Sequence, residues 1–250
     1  MQPMNWVELQ KRCYTPYSCN CDMCMVVGRS GLFYPGVRIE NISFSLSVEA
    51  IQTALFSCLS EGDEPVKLVI PKAELNESNT VYRKKPNRIG EWSGYYPMKV
   101  NEVADPGMAG GARIFQTEEK KVSFSRLQAL IQRCVIPYST FPVSALLETD
   151  IGIFSGANME LADWQKGLCA ERVAMSKALS CGAKVFSRIH IYAPKSDFVS
   201  PCGACRQVMA EHMLNGEVVL YHNEHEITRL PVSALLPYQF VASSLYKQHK

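Results

Sequence analysis

Residues Gly36 to Gly62 of this chain align without a gap on Gly156 to Gly182, at a constant offset of 120 residues (156 − 36). Seven positions are identical across that span: Gly36/Gly156, Glu40/Glu160, Ala50/Ala170, Ala54/Ala174, Leu59/Leu179, Ser60/Ser180 and Gly62/Gly182. Phe44 faces Trp164, an aromatic for an aromatic. Upstream, Pro16-Tyr17-Ser18 recurs as Pro137-Tyr138-Ser139, each after a short helix-like stretch (Val7 to Cys13, and Arg126 to Cys134). The offset there is larger by one residue, which places a one-residue difference in the turn near Gly28 to Gly31. A repeat of this period means one folding unit used twice. The chain therefore divides into residues 1–122 and 123–250, with the boundary near Val122.

The second copy has the clearer pattern. Val143 to Leu147 and Ile151 to Phe154 form a predicted hairpin with Thr149 and Asp150 at its turn. Leu168, Val173, Met175 and Leu179 recur at helical spacing, and Gly182 supplies the stop. Ile189 to Ala193 is a short apolar strand. Pro201 opens a further helix through Val208, Met209 and Met213, ending near Gly216, and Glu217 to Tyr221 follows as a strand. Strands alternating with helices give an α/β sandwich with helices covering the sheet. The first copy departs after Glu64. Pro86, Gly90, Gly94, Pro97, Pro106, Gly107, Gly110 and Gly111 punctuate the stretch to Gly111, which carries few periodic segments and stands in place of Pro201 to Leu214.

Charge narrows the partners. The formal net charge is +2, from 26 basic and 24 acidic side chains, so the basic excess of a polynucleotide binder is missing. The densest basic cluster, Arg83, Lys84, Lys85 and Arg88, falls in a polar stretch and reads as a solvated loop. Met1 to Gln10 has no basic start followed by an apolar run, which argues against a signal peptide. No apolar stretch approaches the length that spans a bilayer. Ten cysteines without an export signal point to a reducing, cytoplasmic setting, where thiols act as metal ligands, nucleophiles or core residues rather than bridges.

The chemistry concentrates in Cys169-Ala170-Glu171 and Pro201-Cys202-Gly203-Ala204-Cys205. Cys202 and Cys205, three apart on a predicted helix, put both sulfurs on one face. Cys169 opens its own helix, where free amides and the dipole favour a thiolate. Three protein ligands with an open fourth position suit a catalytic zinc rather than a closed structural one. Glu171, two residues after a ligand, is placed to serve a zinc-activated water as general acid and base, the arrangement of zinc nucleobase deaminases.

From Arg126 to Phe240 the chain resembles the cytidine deaminase family that acts on free nucleosides. The resemblance rests on Pro137-Tyr138-Ser139-Thr140-Phe141, Gly156-Ala157-Asn158-Met159-Glu160, Cys169-Ala170-Glu171-Arg172, Ser200-Pro201-Cys202-Gly203-Ala204-Cys205-Arg206-Gln207 and Leu235-Leu236-Pro237. It implies a three-layer α/β/α sandwich with a mixed sheet, present here in duplicate, and one Zn2+ per chain. It implies that Phe141 stacks on the pyrimidine, that Asn158 and Glu160 bind the ribose hydroxyls, and that Arg172 hydrogen-bonds the zinc cysteines. It further implies that the carbonyl of Ser200 accepts from the exocyclic amine, that the amide of Ala170 contacts the ring oxygen, and that Phe240 completes the base pocket, often that of a neighbouring subunit. By residue type alone, Phe141 is equally a core residue, Asn158 a turn residue and Arg172 a solvated helix charge.

The first copy has lost this set. Glu49 stands at the position of Cys169, Ile51 at that of Glu171, Gln52 at that of Arg172, Arg38 at that of Asn158 and Asn20 near that of Phe141. No Pro-Cys-x-x-Cys precedes residue 201. The family's loop pattern survives better in Glu40-Asn41-Ile42-Ser43-Phe44 than in Glu160 to Trp164, so Phe44 is expected to help close the second half's pocket, across a pseudo-twofold within the chain or across a dimer. Cys19, Cys21 and Cys24 form a second cysteine group, read as core thiols. The expected function is hydrolytic deamination of cytidine and deoxycytidine by a homodimer. The rivals are another cytosine-bearing small molecule, a polynucleotide substrate, and a non-catalytic zinc protein.

Overall fold

The computed structural model describes residues 5–72, 91–92, 94–104, 113–117 and 121–240. The basic cluster Arg83, Lys84, Lys85 and Arg88, and Pro86, Gly90, Pro106, Gly107, Gly110 and Gly111, lie outside them.

Each half is built on a mixed five-stranded sheet. The first contains β1 (Met23–Gly28), β2 (Leu32–Val37), β3 (Pro65–Pro71), β4 (Lys99–Val103) and β5 (Arg113–Ile114), in the order β4-β3-β1-β2-β5. The second contains β6 (Ser144–Thr149), β7 (Gly152–Ala157), β8 (Phe186–Tyr192), β9 (Glu217–Tyr221) and β10 (Ile227–Pro231), in the order β10-β9-β8-β6-β7. The pairings repeat: β1 is antiparallel to β2 and β3, as β6 is to β7 and β8, while β3–β4 and β8–β9 are parallel. The helices are α1 (Trp6–Gln10), α2 (Ala50–Ser60), α3 (Phe124–Leu130), α4 (Ala170–Cys181), α5 (Gly203–His212) and α6 (Val232–Leu235).

The layers follow from strand periodicity. Along β6, Leu146 points to one face and meets Leu127 and Leu130 of α3, whereas Ala145 and Leu147 point to the other and meet α4 and α5. Helices on both faces make the second half a three-layer sandwich. In the first half every residue of β1 is buried, α2 lies on the sheet, and Trp6 and Leu9 of α1 stand where Leu127 and Leu130 stand in the repeat.

The repeated residues have packing reasons. A Cβ on Gly36 would lie 2.1 Å from the carbonyl oxygen of Ala50, and one on Gly156 would lie 2.0 Å from that of Ala170. Only glycine lets α2 and α4 settle this close to β2 and β7. Ala54 and Ala174, one turn along, are fully buried against the same strands. Gly62 and Gly182 sit at φ +76° and +95° just beyond the two helices, a left-handed conformation that glycine adopts without a steric penalty.

The halves clasp each other through paired contacts. Gln52 Nε2 donates to the carbonyl of Lys166 at 2.7 Å, and Arg172 Nη2 donates to that of Leu46 at 2.9 Å. Arg12 Nη1 reaches the carbonyl of Ser180 at 2.9 Å, and Arg133 Nη1 that of Ser60 at 3.3 Å. Donors and acceptors are related by the repeat offset, so α2 and α4 pack about a pseudo-twofold, as in an isologous dimer. Other contacts break the symmetry: the buried ammonium of Lys177 lies 2.6 Å from Glu61 Oε1 and also donates to Ser155, and Glu211 accepts from the hydroxyls of Tyr14 and Tyr17.

Three sequence expectations need correcting. The stretch after Glu64 carries two strands, β3 and β4, whose pairing with β1 is set by the sheet rather than by a clear local period. Pro201 stands one residue outside α5, whose N-cap is Cys202. The cysteines of the amino-terminal half are not all free, because Cys13 is disulfide-bonded to Cys21. Of Cys19, Cys21 and Cys24, Cys19 is exposed in a turn at φ +53° and only Cys24 is buried in the core.

Gly36→Ala is expected to destabilise the chain by about 2 kcal/mol, since the new methyl group must displace backbone rather than a flexible side chain. Thermal denaturation should register a melting temperature lower by roughly 4–8 °C.

Candidate functional site

Two helix amino-termini converge at the carboxyl edge of the second sheet. Cys169 is the N-cap of α4 and Cys202 the N-cap of α5, both with extended backbone, and Cys205 lies one turn into α5. The sulfur of Cys202 lies 3.7 Å from that of Cys169 and 3.5 Å from that of Cys205. All three sulfurs fall within 4.8 Å of one another, and among the described residues this is the one cluster of three such donors with that spacing. The group Cys19, Cys21 and Cys24 makes no comparable cluster.

Three thiols in so small a space cannot all ionise without a cation between them. Hydrogen bonding with Cys169 and Cys205 holds Cys202 below the ordinary thiol range, and the same contacts push the other two up. A divalent ion removes that conflict by taking all three as thiolates, and a tetrahedral, sulfur-accepting ion such as Zn2+ suits the donor set. Glu171 adds a second sign of an absent partner. It lies in the first turn of α4, is 3% exposed, and its Oε2 has no hydrogen-bond partner. Burial pushes its carboxyl up to about 7, with the negative charge at Cys202 adding to the shift.

Above the sulfurs opens a pocket of about 350 Å³. Cys169, Cys202 and Glu171 line it together with Phe141, Asn158, Glu160 and Ser200, so the second half brings most of the sequence-predicted residues to one cavity. Phe141 is held by its backbone. Asn158 Nδ2 donates to the Phe141 carbonyl at 2.9 Å, and Asn158 Oδ1 accepts from the amide of Val143 at 2.9 Å. Glu160 accepts from the amides of Tyr138 and Ser139 through Oε2, each at 3.0 Å, and its Oε1 takes the hydroxyl of Ser139. Glu40 makes the same three bonds to Tyr17 and Ser18 in the half that lacks the cysteines. The carboxylate thus ties the Pro-Tyr-Ser turn to the sheet in both halves, and Glu160 additionally faces the pocket.

Four expected residues are not among those lining the pocket. Phe44 is 87% exposed and does not line the pocket of its own chain. Its repeat partner Trp164 does, a role that the pairing of the two aromatics in the repeat could have suggested. Arg172 donates through Nη2 to the carbonyl of Leu46 in the first half, while its buried Nε has no hydrogen-bond partner. Phe240 lies outside the pocket lining with its side chain half exposed, and its carbonyl accepts from Gln207 Nε2 at 3.5 Å. Ala170 lies beneath the pocket, fully buried in the core between α4 and β7. Arg206, which sequence reasoning quoted without a role, braces the metal loop by donating to the carbonyl of Pro201 and to the hydroxyl of Ser200, both at 2.8 Å.

The corresponding place in the first half holds no cysteine. Glu49 accepts from the indole of the fully buried Trp92 at 3.0 Å, and its own amide donates to Gln52 as a helix cap.

Residues 117–221 match the family model described as the cytidine and deoxycytidylate deaminase zinc-binding region. The cytidine deaminase of Sporosarcina psychrophila is 40% identical over 117 residues, which is 46% of this chain and 85% of that protein. That of Halalkalibacterium halodurans is 42% identical over 112 residues, 44% of this chain and 85% of its own. Among solved structures, the cytidine deaminase of Burkholderia pseudomallei is 33% identical over 48% of this chain and all of its own length, at a TM-score of 0.43.

A carboxyl whose folded pKa is raised favours the protonated fold, so the burial penalty is small near pH 4 and grows as pH rises through about 7. In zinc-free protein, Glu171→Gln should therefore raise the melting temperature at pH 8 and change it little at pH 4.5. A paired thermal melt at the two pH values reads this directly.

Proposed function

The chain belongs to the cytidine deaminase family, and on that premise we propose that its second half hydrolyses cytidine and deoxycytidine to uridine and deoxyuridine with Glu171 carrying the protons. The observation that carries this reading is the buried carboxylate of Glu171, with Oε2 unpartnered, beside three clustered sulfurs at the floor of a nucleoside-sized pocket.

Cys169, Cys202 and Cys205 would hold one zinc ion per chain, which would supply Lewis acidity toward a water near neutral pH. Glu171 Oε2 takes the two protons of the attacking water in turn, one as its oxygen bonds ring carbon C4 and one from the hydroxyl so formed. The same carboxyl delivers the first to ring nitrogen N3 and the second to the exocyclic amine as its bond to C4 breaks, so that cytidine and water become uridine and ammonia. The raised pKa of Glu171 suits both steps, because a group that titrates near the working pH exchanges protons in either direction. Phe141 offers an aromatic face to the base, the carbonyl of Ser200 accepts from the amine, and Asn158 and Glu160 address the ribose. Asn158 does so while bracing Phe141, which couples sugar recognition to the position of the ring.

No helix among the described residues is long and apolar enough to cross a membrane. We place the activity in cytoplasmic pyrimidine salvage, by a homodimer in which the exposed Phe44 is available to a partner's pocket.

Purified protein should lower the ultraviolet absorbance of cytidine as it becomes uracil-based product. Glu171→Gln should reduce kcat by ~10²-fold or more while zinc remains bound. Cys202→Ala should lose both zinc and turnover, read by metal analysis. A zinc-loaded wild type that released no ammonia from cytidine or deoxycytidine would overturn the reading.

A further inference from the structure

The turn at Trp164–Lys166 bridges the two halves. It is a three-residue 3-10 turn with no buried residue of its own, yet it carries Trp164 to the pocket. An aromatic ring that is 63% exposed has little packing to fix it, so its position depends on what holds the turn. Local bonds are few. The carboxylate of Asp163 caps the amide of Gln165 at 3.3 Å, the Lys166 amide donates to the Asp163 carbonyl at 3.0 Å, and the Gly167 amide donates to the Trp164 carbonyl at 3.3 Å.

The remaining grip comes from the first half, and it falls on Lys166. Gln52 Nε2 donates to the Lys166 carbonyl at 2.7 Å. The side chain is only 20% exposed, and its ammonium lies 5.6 Å from the ring centre of Trp92 and 5.8 Å from that of Tyr95. Glu91 pairs with the ammonium, and Asp163 lies 3.8 Å away. Trp92 is itself fixed by Glu49, the residue at the repeat position of Cys169. Lysine has a large rotamer entropy to lose, and two aromatic faces with an anion offset it.

We propose that Lys166 is a positioning residue: the first half holds it at the place where its own metal ligand is missing, and so sets the Trp164 wall of the nucleoside pocket. Trp164 is the specificity-determining residue of this pair, and Lys166 acts only through it. The nucleoside as ligand rests on the function proposed above; the grip on Lys166 does not.

Lys166→Met keeps the stem and removes the charge. Expected are a rise in KM for cytidine of about tenfold, kcat within about twofold, and zinc still at one per chain, with Lys166→Arg recovering most of the KM. The chain has three tryptophans. In 5-fluorotryptophan-labelled protein, the 19F resonance assigned by Trp164→Phe should shift or broaden in Lys166→Met without any nucleoside. An unchanged KM, an unmoved Trp164 resonance, or a fall in kcat accompanied by zinc loss would each overturn the proposal. If the wild type fails to deaminate cytidine, the function fails alone, and the 19F signal still decides whether Lys166 governs Trp164.

Discussion

A helix can approach a strand only as far as the side chains between them allow, and at Gly36 and Gly156 there are none. The contact sets where α2 and α4 lie, and with it where their amino-termini emerge at the sheet edge. In the second half that places the sulfur of Cys169 within reach of Cys202 and Cys205, and sinks Glu171 to the floor of the pocket, shielded from bulk solvent. The same seating brings α2 and α4 side by side, so that Gln52 and Arg172 each reach a carbonyl of the opposite half. A single class of close contact therefore governs both the metal centre and the clasp between halves.

The two halves separate what the fold needs from what the chemistry needs. Positions kept in both are those the packing explains: glycine at the helix–strand contact, small buried residues along α2 and α4, glycine in the left-handed stop, and a glutamate tying the Pro-Tyr-Ser turn. Among the positions that differ are the sulfur ligands and the buried acid. Glu160 belongs to both sets, because its oxygens are already used by the turn while it faces the pocket. That double use makes it a poor guide to ligand binding on identity alone. The asymmetric pair Lys177 and Glu61 shows how far the halves have diverged where no symmetric contact constrains them.

Much of the site was legible because its determinants are local. The spacing of Cys202 and Cys205, and the placement of Cys169 and Glu171 at the start of a helix, need only helix geometry to be read. The same holds for α4 with its Gly182 stop and for β9, whose bounds match the apolar run. What the sequence concealed depends on how separate elements meet. Arg172 also reaches the carbonyl of Leu46, 126 positions away, a contact that no local pattern announces. The loop of Phe44 keeps the family pattern, yet within one chain it is the turn of Trp164 that lies at the cavity. β3 and β4 were hidden because the parallel pairing between them, across a stretch broken by Pro86, Gly90, Gly94 and Pro97, leaves no local period to see. The bond between Cys13 and Cys21 was missed for a related reason: two chain segments are brought together by the turn at Cys19, not by spacing.

The indole of Trp92 also limits what position 49 can be. A cysteine there would put a sulfur at the place Cys169 takes in the second half, but it would also strip the indole of its acceptor and leave a buried N–H without a partner. Equivalent positions are thus under opposite demands in the two halves: an oxygen that accepts from an indole in one, a sulfur in the other.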